Sequence, residues 1–420
     1  MRGDGSTAHA ATAPYGGAHR PVNPVRDAVR SCQAVPVTRS VGDSLVRLLR
    51  DKGPRTRSQL AEELGISRTS VSSEVVALES AGLVAEGPVA PSSGGRRSTT
   101  VRLGPAVRLA TVSVGESRIR ASVLDAGLAG PRPVTVDVDG DAGPSAEQVG
   151  QALRTALGAD RSVLAVGLSL APDLRGGGGL SPTGLESALV EELTNVAGGS
   201  PVVVEGAARA MARGERQAGL ARGLDNVVVV RIGATVTTAA YVDGHLGRGS
   251  EGQAGAVGHV RVDEFGPACV CGSSGCLDSF VSVRALHDQC LAAARSGRSP
   301  ALAAALESSG AIGLPDLAAA VTAGDPVAVQ VARDVGRRVG EAVAGLVAFA
   351  NPSTVVVGGP VAVLGPHLLN EVRGAVYRRA PARLVAGVNV EMSAPGDRAA
   401  LLGAALAAGD HAFSAIVTGS

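Results

Sequence analysis

His259, Cys269, Cys271 and Cys276 fall in one stretch, GHVRVDEFGPACVCGSSGCLD. Three thiolates and one imidazole form the shell of a closed, four-coordinate zinc site, because a d¹⁰ ion has no geometric demand of its own and accepts a tetrahedral Cys₃His set. Of the chain's five cysteines, three lie within eight residues, and only Cys32 and Cys290 stand apart. That clustering favours a metal over scattered thiols. Gly272 and Gly275 sit where the loop must turn back to bring Cys276 onto the ion, at positions where a missing Cβ relaxes the backbone.

Two carboxylates are further candidates. Glu205 ends the apolar run Pro201-Val-Val-Val and reads as a pocket carboxylate, while Asp278 follows Cys276 by two positions. Gly176–Gly179 lack the strand-to-helix context of a phosphate cradle and read as a flexible loop. His287, His367 and His411 are isolated and read as surface or capping residues.

These groups need a scaffold, and 420 residues allow two or three domains. Residues 1–103 hold fourteen Arg/Lys against nine Asp/Glu, while the remainder is slightly acidic. The basic end is therefore the nucleic-acid candidate. Tryptophan is absent and aromatics are 2% of the chain, which excludes the stacking platforms that hold single strands and points to duplex DNA. The longest aliphatic helix pattern, 331–350, is interrupted by five charged residues, so no membrane span is expected. Residues 1–40, rich in Gly, Ala, Pro and Arg, lack a continuous apolar run and read as a flexible arm. Reduced, metal-ready cysteines fit a cytoplasmic protein.

Residues 41–103 show three helical patterns and two short strands. Leu45, Leu48 and Leu49 mark the first helix; Thr56-x-x-Gln59 is a capping box opening the second; Gly65 makes a turn, and Ser67 caps a third with Val71, Val75 and Leu78 inward. This is the pattern of a helix-turn-helix, whose last helix enters the major groove. Its outer face carries Ser67, Arg68, Thr69, Ser72 and Ser73. The strands around 83–86 and 99–103 predict a wing whose tip bears Arg96 and Arg97, suited to phosphate or the minor groove. One such helix reads a half-site, so a palindromic operator and a homodimer or dimer of dimers are expected.

Beyond residue 104 strand and helix patterns alternate in the order of an α/β body. Strands are expected at 109–114, 118–124, 162–169, 201–205, 226–231 and 354–357, and helices at 145–157 and 399–408, the last packing on the body. The run from Gly247 and Gly255 through Gly258-His259, Cys269-Val-Cys271-Gly272 and Gly275-Cys276-Leu277-Asp278, with Asn351-Pro-Ser-Thr-Val-Val-Val-Gly-Gly-Pro360, resembles the signature of the ROK family of repressors, open reading frames and sugar kinases. The resemblance extends from about residue 40 to the end. It implies a winged helix-turn-helix at 41–103 followed by a two-lobed, actin-like sugar-kinase fold: lobe 1 at 104–225, and lobe 2 with its zinc loop at 226–420, the terminal helix packing back on lobe 1.

The same resemblance exposes departures from the kinase pattern. Where kinases of the family carry D-x-G-G-T, this chain reads Ser113-Val114-Gly115-Glu116-Ser117. The second phosphate loop reads Gly233-Ala234-Thr235-Val236-Thr237-Thr238. E-N-D-A-N becomes Glu205-Gly206-Ala207-Ala208-Arg209, placing Ala207 where the kinase aspartate takes the proton from the sugar hydroxyl. G-E-x-G-H becomes Gly255-Ala256-Val257-Gly258-His259, and Asp278 replaces a glutamate, so the resemblance leaves Glu205, His259 and Asp278 as the candidate ligand-binding set. A regulator with structural zinc, an inactive kinase body and a sugar or other small-molecule effector is expected. An active sugar kinase, or a regulator answering to a non-sugar ligand or partner protein, stands as the alternative.

Overall fold

A computed structural model describes residues 40–90, 98–115, 117–138, 143–171, 184–250, 252–394 and 396–418. The helix-turn-helix is formed by α1 (Val41–Lys52), α2 (Arg57–Leu64) and α3 (Arg68–Ser80). Each begins on a side-chain cap. Ser40 accepts from the Asp43 amide, Thr56 and Gln59 close the expected capping box, and Ser67 accepts from the Ser70 amide at 3.0 Å. Such caps satisfy amides that a helix start leaves without partners and contribute about 1 kcal/mol each. Gly65 takes the left-handed conformation between α2 and α3, as the turn requires.

Strands β2 (Val84–Val89) and β3 (Thr99–Leu103) pair antiparallel, and a short β1 (Arg55–Thr56) unforeseen in the sequence joins the far side of β3. The hairpin is the expected wing. Its tip, with Arg96 and Arg97, lies outside the described residues, as do the 1–39 stretch with Cys32, Glu116 and the Gly176–Gly179 loop.

Two five-stranded sheets follow, each with the same design. The first runs β6-β5-β4-β7-β8, from β4 (Leu109–Val114), β5 (Arg118–Leu124), β6 (Val134–Asp137), β7 (Ala165–Leu170) and β8 (Val202–Gly206). The second runs β11-β10-β9-β12-β13, from β9 (Val227–Ile232), β10 (Val236–Val242), β11 (His245–Leu246), β12 (Thr354–Gly358) and β13 (Asn389–Met392). In both, an antiparallel hairpin is extended by parallel strands. Strands buried on both faces read as unbroken valine-rich runs, which is why 227–230 and 355–357 are all valine. This repetition is the two-lobed, actin-like architecture.

Helices α4 (Ala146–Leu157) and α5 (Gly184–Val196) cover one face of the first sheet, and α6 (Ala207–Ala218) leaves the end of β8. The second sheet carries α7 (Asp278–Val281), α8 (Val283–Arg295), α9 (Pro300–Ser309), α10 (Leu314–Thr322), α11 (Pro326–Ala350), α12 (Gly365–Arg379) and α13 (Ala382–Val385).

The last helix, α14 (Asp397–Thr418), corrects two expectations. Residues 398–417 have the length and composition of a membrane span, contrary to the sequence reading, but most of this stretch is buried inside the protein. Thr111 Oγ1 on β4 donates to the Leu401 carbonyl at 2.7 Å, and Gly403 lies so close to α6 that a Cβ there would fall 1.6 Å from the Ala210 carbonyl oxygen. The helix is also longer than 399–408. Its extra turns reach the helix-turn-helix, where Phe413, fully buried, packs into the core formed by Leu45, Leu49, Leu60, Val71 and Val75.

Candidate functional site

The Cys₃His loop is folded by its own backbone. The Cys269 amide donates to the Ser273 carbonyl at 2.8 Å, the Gly272 amide to the Cys269 carbonyl at 3.0 Å, and the Gly275 amide to the Pro267 carbonyl at 2.8 Å. Gly275 has φ +67°, and a Cβ there would lie 1.6 Å from the Asp263 carbonyl oxygen, so glycine is required where the chain folds back. The loop gathers one nitrogen and three sulfurs within 4.8 Å of one another. His259 Nδ1 and Cys269 Sγ are 3.6 Å apart, and Cys271 Sγ and Cys276 Sγ 3.7 Å. Around a tetrahedral zinc with Zn–S near 2.3 Å, ligand sulfurs stand about 3.8 Å apart. The donor set and its spacing fit such an ion. Cys290 is buried on α8, away from the cluster.

Asp278 lies beneath this loop. Its Oδ2 accepts from Thr235 Oγ1 at 2.5 Å and stands 3.7 Å from His259 Nδ1, while Oδ1 accepts from the Val236 amide at 2.7 Å. The carboxylate thus ties the Cys₃His loop to the turn between β9 and β10. Along that turn Gly233 is crossed by the Arg231 side chain, whose Nη1 would be 2.6 Å from a Cβ at that glycine. Val236, Thr237 and Thr238 belong to β10.

Glu205 ends β8 in register with Ser169 on β7, and Ser169 with Ser113 on β4, so the three share one sheet face at the carboxyl ends of parallel strands. Such ends are where open α/β sheets bind ligands. Three guanidiniums meet the Glu205 carboxylate. Arg209 Nε donates to Oε1 at 2.6 Å; Arg213 Nε and an Arg248 Nη donate to Oε2, each at 3.3 Å. Arg248 follows β11 of the second sheet, and Arg209 also donates to the Gly252 carbonyl at 2.6 Å, so the cluster joins the two sheets. Burial alone would raise the Glu205 carboxyl, but Arg209, Arg213 and Arg248 outweigh it and hold the group below the usual carboxylate range. Ala207 and Ala208, in the first turn of α6, present no polar side-chain atom.

Arg213 extends this cluster. Its Nη1 donates to Asp410 of α14 at 3.3 Å, and Asp410 also pairs with Arg47 and, at 2.7 Å, with Arg50 of α1. Arg47 returns to Asp43 at 2.9 Å. Motif reading found Glu205 but none of these partners, because nothing in local spacing couples residue 213 to 410 or 410 to 47.

On α3, Ser67, Arg68, Thr69, Ser72 and Ser73 are all exposed, as the spacing predicts. Ser72 Oγ donates to the Arg68 carbonyl at 2.9 Å, which leaves its lone pairs free to accept. Val76, 60% exposed on the same helix, was not singled out in the sequence and offers a methyl surface of the kind that meets thymine.

Comparison with known proteins gives two family matches: the ROK family over residues 181–411 and the bacterial regulatory protein, arsR family, over residues 44–86. Over 218 residues the chain is 34% identical to a glucokinase of Streptomyces coelicolor, covering 49% of this chain and 67% of that one. It is 27% identical over 208 residues to the DNA-binding transcriptional repressor Mlc of Escherichia coli, half of each chain. Among solved structures, a ROK family transcriptional regulator described as a homolog of the E. coli Mlc protein superposes with a TM-score of 0.71 at 23% identity, covering 90% of this chain and 97% of that one.

Proposed function

This chain belongs to the ROK family, and on that premise we propose that it is one of the family's DNA-binding regulators, a zinc-containing homodimeric repressor whose kinase-like body does not phosphorylate sugars. The observation that carries this reading is the exposed polar face of α3 in a helix-turn-helix backed by a wing. Arg68 and the hydroxyls of Ser67, Thr69, Ser72 and Ser73 are presented together, and the sequence puts Arg96 and Arg97 between the two wing strands. Two copies related by a two-fold axis would read a palindromic operator. Zinc, held by His259, Cys269, Cys271 and Cys276, would fix the loop against Asp278 and the β9–β10 turn. A metal-binding set of thiols agrees with a reducing cytoplasm.

The active-kinase alternative draws on the glucokinase relatives. It requires a proton acceptor near the sugar hydroxyl, yet Ala207 occupies the aspartate position and Ser113 that of the other acid. Glu205, His259 and Asp278 were candidates for direct ligand contact. The hydrogen bonds of Asp278 favour a supporting role for it, and those of Glu205 make the guanidiniums the groups that face a ligand. A small-molecule effector would meet those guanidiniums, and sugars are one class to test.

The decisive experiment is selection of operator DNA from a random duplex pool with the full chain, followed by titration of variants. Arg68→Ala is expected to cost about 1–3 kcal/mol at the selected site if it reads a base. The Arg96→Ala/Arg97→Ala pair should weaken binding to all sequences and lower the salt slope by about one for each phosphate it no longer neutralises. A chain that enriches no sequence, or a double variant indistinguishable from wild type at several salt concentrations, would overturn the assignment.

A further inference from the structure

We propose that the cleft at Glu205 takes a carboxylate-bearing metabolite against Arg248 and Arg209, and that its occupancy reaches the DNA-binding domain through Arg213 and Asp410. The proposal rests on the regulator reading above and deepens it. Its first support is charge. Along the network, Arg47 pairs with Asp43, Arg50 with Asp51, Arg213 with Asp410 and Arg209 with Glu205. Arg248 then has only the already paired Glu205, at 3.3 Å, among the described residues, and its side chain is 44% exposed. Among the described residues the surplus is one positive charge, at the half-exposed Arg248, which a monoanion matches and a phosphate dianion exceeds.

Donor chemistry is the second support. A neutral sugar is held by acceptors such as carboxylates and amides, and here Gly206, Ala207 and Ala256 offer no side-chain acceptor. The groups beside Glu205 that can donate are two guanidiniums, the α6 N-terminus, whose Gly206 cap supplies no side-chain bond, and Ser169 Oγ. Ser169 is fully buried, lies on the strand beside Glu205 in register with it, and has no hydrogen-bond partner among the described residues. An arginine fork matches a planar carboxylate with two parallel bonds.

Connectivity is the third. One guanidinium, Arg213, is shared between Glu205 and Asp410, so a ligand that draws Arg248 and Arg209 away from Glu205 strengthens its claim on Arg213 and loosens Arg213 from Asp410. Asp410 in turn holds Arg47 and Arg50, and three residues later Phe413 sits in the helix-turn-helix core. The orientation of α1 is thereby tied to the charge state of the cleft. Allosteric coupling needs such an element, one that two sites both bias.

The test begins without DNA. Calorimetry of the full chain at fixed ionic strength should show glucuronate or gluconate binding at least tenfold more tightly than glucose, with Arg248→Met removing at least tenfold of that affinity and leaving the melting temperature within about two degrees. Equal binding of glucose, tighter binding of glucose 6-phosphate than of the sugar acids, no binding of either acid, or full affinity in Arg248→Met would each overturn the site. On selected operator DNA, a saturating acid should change affinity at least fivefold in wild type and less than twofold in Arg213→Met, whose acid binding is checked by the same calorimetry. A shift that persists in an Arg213→Met protein that binds the acid would overturn the route. Acid binding by a chain that enriches no DNA would sink the regulator reading and leave the site standing.

Discussion

The four candidate donor atoms of the Cys₃His loop come from a single segment between positions 259 and 276, closed by hydrogen bonds of its own backbone. The carboxylate of Glu205 is met by guanidiniums from α6 and from the loop after β11, and it is linked through Arg213 to Asp410, which lies 197 positions beyond that arginine. A closed loop of this kind can persist whatever chemistry the neighbouring cleft performs, because its geometry is set locally. The cleft has no such independence. The partners of the Glu205 carboxylate, Arg209, Arg213 and Arg248, reach into other parts of the molecule.

The strongest way to break this contrast is to attack the loop. Cys276→Ser should abolish stoichiometric metal and lower the melting temperature by several degrees, since a structural zinc contributes folding free energy directly, whereas Cys290→Ser should leave metal content unchanged; metal analysis of the two purified variants decides it. Next in size is Phe413→Ala, expected to cost about 3–5 kcal/mol by removing a fully buried aromatic ring. Denaturant titration should show that loss while one metal per chain is retained. Restoring a single acid to the cleft with Ala207→Asp should produce no sugar phosphorylation above background in a coupled assay, because positioning and phosphate contacts act together.

The smallest effect concerns pH. Burial raises the Asp410 carboxyl, but Arg50, Arg47 and Arg213 together bring it below its ordinary value, and Glu205 is lowered in the same manner. A lowered folded-state value means the stabilisation is fully present above the unfolded value and disappears as pH falls through the folded one. The melting temperature should therefore decline below about pH 4.5 as the two groups become protonated. The decline should be shallower in Asp410→Asn than in wild type when the two are followed over the same range; parallel curves would remove Asp410 from the network.

What the sequence disclosed follows the same division. The caps at Thr56 and Ser67, the alternation of buried positions along α3 and the Cys₃His spacing were legible because each is satisfied within a few turns of chain. Strand β1 was missed because two residues carry no periodicity, and its pairing with β3 is set by tertiary packing. The extent of α14 was missed because residues 397–418 are alanine-rich with little contrast between faces, so neither its end nor its role could be read from pattern. The positions of Arg213 and Asp410 were visible, but their meeting was not.

Because Phe413 completes the hydrophobic interior of the helix-turn-helix from the opposite end of the polypeptide, that domain is not a detachable reading head. Residues 41–103 are synthesised before Phe413 and must wait for it before their core is whole. A chimera that transplants residues 41–103 onto another body would have to carry residues 410–418 with them, and a chain truncated before Phe413 would carry the recognition helix without its full support.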